Sequence, residues 1–294
     1  MASASVEEAL SLKGSVLLHP SFVTPHDMPV FLRSAALRVA AGNLMLAAVF
    51  VGCVALVVAD ATTRLSCALA CATCVVATWH YSKLLAIREQ NGTRIKLSKP
   101  GEVPMGQAPE LKLGWQELSA DAVRYSDWSV TLVPLIVDLH LLNGEHTSLF
   151  SVAWSALLCV LMVALGAFTR LGTDELVPPS EASGAQAGDF CVRVVGVLSF
   201  LLSAACLVLV LLNLLSGLDP DPSNGWVYAF SLPWIGYAAV SGVAIVWRQM
   251  QPDGYPEALS VVKDVAFGAL DVWSKAAFAL YIGMKALGHA DLLF

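Results

Sequence analysis

Four residues able to carry or move protons lie on one face of an apolar segment near the middle of the chain. Arg124, Asp127, Thr131 and Asp138 follow one another at three, four and seven residues, which places them on one stripe of a 3.6-residue helix. Asp127 and Asp138 are separated by eleven residues, roughly 16 Å along such a helix. Acids at two depths of a membrane segment are costly, so the pattern favours an ion path over a packing face.

A second pair of ionisable residues lies in the last apolar segment, where Lys275 follows Asp271 by one helical turn. An uncharged lysine amine is a good nucleophile towards an aldehyde and forms a Schiff base with it. Once protonated, that group is a buried cation and requires nearby anions, for which Asp271 and Asp127 are the candidates. Lys285, nearer the end of the same segment, is interpreted as an interfacial lysine.

The composition predicts a polytopic membrane protein. The chain has 294 residues, of which 57% are hydrophobic and 14% charged, with a mean hydropathy of +0.69, whereas an average soluble domain has about 25% charged residues. The net charge of −6 gives no indication of nucleic-acid binding. The seven cysteines lie in or at apolar segments and are interpreted as small buried residues, so neither a metal site nor a disulfide framework is predicted.

The fold predicted from these segments is all-α, a bundle of seven transmembrane helices at residues 33–290, after an extramembrane N-terminal segment at 1–32. Each predicted span is longer than the roughly 20 residues needed to cross a bilayer. A short surface helix is predicted around 5–18, and a long loop at 90–116 between the second and third helices. The predicted spans are 33–58, 65–89, 117–142, 147–171, 189–216, 226–249 and 257–288.

Two motifs give the chain a resemblance to a known family. The run RYSDWSVT with a second aspartate eleven residues after the first, and DVWSK in the last segment, resemble the microbial rhodopsins. The run WHY at the end of the second span is similar to the proteorhodopsin and xanthorhodopsin branch of proton pumps. The resemblance implies seven helices and all-trans retinal bound to Lys275 as a protonated Schiff base.

The resemblance also implies roles for the ionisable residues. Asp127 corresponds to the primary counterion and proton acceptor, Asp271 to the second counterion, and Asp138 to the internal proton donor. Arg124 corresponds to the arginine beneath the counterions, and Thr131 to a hydroxyl that hydrogen-bonds the acceptor.

Residues of the second helix and of the retinal pocket follow from the same resemblance. His80 is expected to hydrogen-bond Asp127, and Tyr81 to lie near Asp271. In the sixth helix two registers stay open: one uses Trp234 and Tyr237, with Ala238 and Ser241 where the family has proline and an aromatic residue, and the other uses Phe230. The other residues expected in the pocket are Trp128, Leu135, Met162, Gly166, Ser199, Phe200 and Ser274, with Thr131 beside them.

The predicted function is therefore a light-driven proton pump, an ion transporter rather than an enzyme, in the cell membrane. A light-gated cation channel and a photosensory rhodopsin are the alternatives. Expected partners are the lipid bilayer, protons and further copies of the chain in a trimer or pentamer. The family norm places the N-terminus outside and makes pumping outward, whereas most loop lysines and arginines lie on the N-terminal side and favour the opposite orientation.

Overall fold

The computed structural model of the protein describes residues 28–97, 109–142, 148–174, 185–216, 225–250 and 257–289. This part of the chain forms seven long helices and no strand. A helix satisfies every backbone polar group within its own segment, which an apolar surrounding demands. The helices are α1 (Met28–Val57), α2 (Ala61–Leu97), α3 (Pro109–Leu142), α4 (Leu149–Asp174), α5 (Ala185–Ser216), α6 (Gly225–Met250) and α7, which continues from Glu257–Asp271 through Val272–Ala277 to Phe278–Ala286.

Six of these helices are long and apolar enough to cross a membrane, as judged over the described residues. The seventh, α3, carries Asp121, Arg124, Asp127 and Asp138 within its apolar run. The protein is an integral, multi-pass membrane protein, and α3 is the helix that carries the most charge through the bundle.

The helices form a closed ring in which each contacts the next along the chain, and α7 packs on α1 and α2. Close approach between α1 and α7 depends on Gly283, because a Cβ atom at this position would lie 2.5 Å from the ring of Phe50. The apolar outer face of the bundle is exposed, and the polar residues of the site are buried inside the ring.

The loop predicted at 90–116 was too long, because the helices on both sides of it continue beyond the point where the apolar residues end. Helix α2 extends to Leu97 and α3 begins at Pro109, so much of the loop predicted at 90–116 is helical. Backbone hydrogen bonds keep a helix intact in water once it has been nucleated. The surface helix predicted around 5–18 lies outside the described residues.

The connection between α1 and α2 is a tight turn held by side chains. The backbone N–H and the hydroxyl of Thr63 both donate to Asp60 Oδ2 at 2.7 Å, so Asp60 caps the start of α2. These two hydrogen bonds lower the pKa of the Asp60 carboxyl below its ordinary value. Arg64 donates back to the Val58 carbonyl at 3.0 and 2.7 Å, which satisfies the end of α1.

Helix α7 was predicted as one continuous α-helix, but it has π-helical winding at Val272–Ala277. Lys275 lies within this wider turn. Winding of this kind is rare and is found mostly at functional sites. The buried thiol of Cys74 on α2 donates to the Lys275 carbonyl at 3.6 Å, so the π-helical turn also receives a hydrogen bond from outside its own helix.

Candidate functional site

A buried lysine between two carboxylates forms the centre of the site. Lys275 Nζ lies 2.5 Å from Asp127 Oδ2 and 2.9 Å from Asp271 Oδ1. Each of the three side chains is at most 3% exposed. Burying a lone ammonium is very costly, so the two carboxylates are the condition for placing a charged amine here.

Asp271 is held by two tyrosines from opposite sides. Tyr81 on α2 donates its hydroxyl to Asp271 Oδ2 at 2.6 Å, and Tyr237 on α6 donates to Oδ1 at 2.6 Å. The hydroxyl of Tyr237 also lies 2.9 Å from that of Ser274. Each oxygen of Asp271 therefore accepts a hydrogen bond from a tyrosine.

Asp127 has fewer hydrogen bonds than Asp271. His80 Nδ1 lies 3.5 Å from Asp127 Oδ1 but only 2.9 Å from the backbone carbonyl of Val76, so the imidazole is adjacent to the acid and bonded to its own helix. Asp127 Oδ1 has no hydrogen-bond partner among the described residues. Thr131, expected to bond the acid, instead donates to the backbone carbonyl of Asp127 at 2.8 Å. Threonine in a helix commonly bonds the carbonyl one turn earlier.

Asp138 is completely buried at the opposite end of the stripe. Neither of its carboxylate oxygens has a hydrogen-bond partner within the described ranges. It lies on α3 eleven residues, or roughly 16 Å, beyond Asp127 in the direction away from Arg124.

Within the described residues, Arg124 bonds other acids than the two carboxylates beside Lys275. Its guanidinium bonds Asp264 on α7, lies 3.2 Å from Asp121 Oδ1 and covers the ring of Phe267 at 5.2 Å. Lys263 completes this group, because its amine lies 3.1 Å from Asp121 Oδ1. The arginine is therefore held by two acids that lie one to two turns nearer the start of α3 and of α7 than the carboxylates beside Lys275.

Asp264 is a contact point for arginines from three helices. Besides Arg124 it contacts Arg88 on α2 at 3.0 Å and Arg33 on α1 at 3.4 Å. Asp264 is fully buried, and the three guanidinium groups are buried too. We call Arg33, Arg88, Asp121, Arg124, Lys263 and Asp264 the arginine cluster. It ties α1, α2, α3 and α7 together.

A cavity inside the bundle adjoins Lys275. Its walls are mostly apolar, and it has the lysine and Ser274 at one end. Most of the residues expected in the pocket line it. They are Trp128, Leu135, Met162, Gly166, Phe200, Trp234, Tyr237 and Ser274.

The structure distinguishes the two registers of the sixth helix. Trp234 and Tyr237 face the cavity. Phe230 instead packs on Phe278 and Tyr281, with ring centroids 5.1 and 5.5 Å apart, and is not a lining residue. Ser199, also expected in the pocket, donates to the Val195 carbonyl of its own helix at 2.8 Å and does not line the cavity either.

Comparison with solved structures gives the fold. Xanthorhodopsin, described as a light-driven ion pump with dual chromophore, superposes with a TM-score of 0.61 and 18% identity, over 92% of this chain and 97% of that chain. The chain has the microbial rhodopsin fold. The rhodopsin of Exiguobacterium sibiricum gives a TM-score of 0.60 at 16% identity, over 88% and 96% of the two chains. The proton-pumping rhodopsin of the marine alga Acetabularia acetabulum gives 0.57 at 17%, over 87% and 95%.

No family model matches the sequence, and no match was found among curated proteins. The rhodopsin fold is therefore recognised through structure and through a few motif residues. The sequence predicted the residues around Lys275, but of the arginine cluster it predicted only Arg124 as a site residue. The available signal was the recurrence of acids and bases at helical spacing: Asp121 precedes Arg124 by three residues, and Asp264 precedes Asp271 by two turns.

Removing the central acid of the arginine cluster is expected to destabilise the protein strongly. Asp264→Asn leaves three buried guanidinium groups without their shared carboxylate, and breaking a buried ion pair costs about 3–5 kcal/mol. Arg38→Gln is the matched control, because it removes a 2.6 Å pair with Glu89 whose side chains are 64% and 44% exposed, worth less than about 1 kcal/mol. Equilibrium unfolding in mixed micelles measures both; equal losses would contradict a structural role for Asp264.

Proposed function

We propose that the protein is a microbial rhodopsin that pumps protons under light and binds all-trans retinal through Lys275. The observation that carries the proposal is the buried amine at the end of an apolar cavity, 2.5 and 2.9 Å from two carboxylates. A buried lysine with its own counter-charges is a functional site by default in a membrane protein.

The cavity fits a long apolar aldehyde. The Lys275 amine condenses with the aldehyde carbon and a water molecule is lost, so the side chain needs a cavity at its tip, which it has. Trp128 and Trp234 provide flat walls, and Leu135 and Met162 close the apolar lining. Retinal bound there would supply absorption of visible light and a change of shape on isomerisation.

The two carboxylates are unequal, which gives the proton a direction. Asp271 has both oxygens occupied by tyrosine hydroxyls, so its anion is stabilised. Asp127 has one oxygen 2.5 Å from Lys275 Nζ and another without a hydrogen bond. Protonating Asp127 breaks fewer hydrogen bonds, so we assign it as the acceptor of the proton from the Lys275 nitrogen and Asp271 as the persistent counterion.

Asp138 is suited to return a proton to the Lys275 nitrogen from the other side. Because it is fully buried and unpaired, it holds a proton at rest. Asp127 and Asp138 lie at different depths of α3, so a proton accepted by the first and replaced by the second moves in one direction. The arginine cluster lies beyond Asp127 on the release side.

We assign the N-terminus to the outside, which makes pumping outward. Lysines and arginines on the N-terminal side of the bundle favour the opposite orientation. However, Arg33, Arg88 and Lys263 are at most 8% exposed and are engaged in the arginine cluster. Three of the cations counted on that side are therefore structural residues of the bundle, which weakens the loop-charge argument.

Pigment formation is expected to depend on one lysine. Lys275→Ala should give no visible absorbance band after all-trans retinal is added to the membranes, because the amine is lost. Lys285→Ala is the control on the same helix; Lys285 lies over the Trp226 ring at 5.3 Å, away from the cavity, so its band should be unchanged. A band in the Lys275 variant refutes the attachment site.

Light should drive protons out of cells that express the protein with retinal. The suspension is expected to acidify on illumination, and a protonophore should abolish the change. Asp127→Asn should shift absorbance to the red, because a counterion is neutralised, and should abolish pumping. Photocurrents that reverse sign with voltage would identify a cation channel instead, and alkalinisation would place the N-terminus inside.

Asp138→Asn is expected to slow the recovery of the dark absorbance after a flash by about a hundredfold or more, the lower end of the range attributed to a positioned proton donor. Added azide should restore part of the rate, because it is a mobile acid that can carry protons in place of the missing carboxyl group. Flash spectroscopy on wild type and variant, with and without azide, measures this. Unaltered recovery would remove Asp138 from the donor role.

A further inference from the structure

Part of the lining of the cavity that contains Lys275 is polar. Ser203, Ser241 and Thr169 line it from α5, α6 and α4, and we call the part between these three helices the far end; the charged pair of Asp121 and Lys263 lines it from α3 and α7. A simple hydrocarbon ring does not need such a lining, because each polar group that it covers loses contact with water.

The position of this end relative to Lys275 follows from the order of the helices. In the closed ring, α4 and α5 lie across the bundle from α7. Two helix spacings are roughly 16–20 Å, so a rod attached to α7 ends among residues of α4, α5 and α6. The walls are close there: a Cβ atom at Gly166 would lie 3.1 Å from Tyr125, and one at Gly242 would lie 3.1 Å from Phe200.

The three hydroxyls at this end differ in what they bond. Ser203 donates to the Met162 carbonyl and Thr169 to the Leu165 carbonyl, both at 2.8 Å, so their protons are committed to backbone. The hydroxyl of Ser241 makes no hydrogen bond to the described part of the chain, although its residue lines the cavity. Ser241 lies one turn beyond Tyr237 on α6, on the cavity face of that helix.

We propose that the far end of the cavity binds a retinal whose ring carries an oxygen, as a hydroxyl or a ketone, and that Ser241 hydrogen-bonds this oxygen. The proposal rests on the proposed attachment of retinal to Lys275. An unsubstituted ring would cover the Ser241 hydroxyl without giving it a partner, whereas a ring oxygen provides one. Ser241 is thus a specificity-determining residue, and the ligand class is a ring-oxygenated retinal.

Competition between two aldehydes tests the proposal. Protein expressed without retinal is incubated with equal amounts of all-trans-retinal and all-trans-3-hydroxyretinal. The bound aldehydes are then released with hydroxylamine and quantified as oximes. Wild type is expected to be enriched in the hydroxylated form by about two- to tenfold, the factor that corresponds to one neutral hydrogen bond.

Three variants separate the Ser241 contact from general effects. Ser241→Ala should lose the enrichment while still forming pigment with retinal, and Ser241→Thr should keep it. Ser203→Ala is the matched control, because its hydroxyl is already committed to Met162, and it should keep the wild-type ratio.

The outcomes distinguish this inference from the function on which it rests. Pigment from retinal without enrichment in wild type overturns the inference and leaves the pump intact. Enrichment that survives in Ser241→Ala overturns the role of Ser241 and, with it, the inference. Pigment from neither aldehyde overturns both the inference and the attachment of retinal to Lys275.

Discussion

The burial of one amine beside two acids is the constraint on which the rest of the interior depends. Lys275 cannot occupy the centre of an apolar bundle unless α3 and α7 each bring a carboxylate within hydrogen-bond distance. Tyrosines on α2 and α6 then have to support Asp271. Four of the seven helices are thus held in position around a single cation. Asp127, which receives no hydrogen bond from these tyrosines, is the acid that we assign as the proton acceptor.

The arginine cluster is a second electrostatic layer, which joins α1, α2, α3 and α7. Asp264 gathers arginines from α1, α2 and α3, so α7 contributes an anion to both layers. Phe267 lies between the layers, with Arg124 over one part of it and Tyr237 stacked at 5.9 Å on another. This arrangement gives α7 two anchor points, seven residues apart.

The sequence predicted which residues share a face of one helix better than it predicted which residues of different helices are in contact. The i, i+4 spacing of Asp271 and Lys275 and the stripe on α3 follow from helical geometry alone. The approach of Asp127 to Lys275 required a resemblance, because neither spacing nor hydropathy specifies which helices face each other. The direction of Arg124 and of the Thr131 hydroxyl depends on rotamers chosen among competing acceptors. Helix ends were misplaced because hydropathy reports lipid contact, whereas helices end where backbone bonding ends.

The π-helical turn in α7 changes how the two halves of that helix relate. One additional residue in a turn rotates all later side chains by about 100° about the axis. The side chains before Val272 and those after Ala277 therefore do not continue one regular 3.6-residue pattern around the helix axis. A helical wheel drawn through the whole of α7 would assign Tyr281 and Asp264 to wrong relative faces. Deleting one residue within the turn would restore a single phase and turn one half of α7 by about 100° relative to the other.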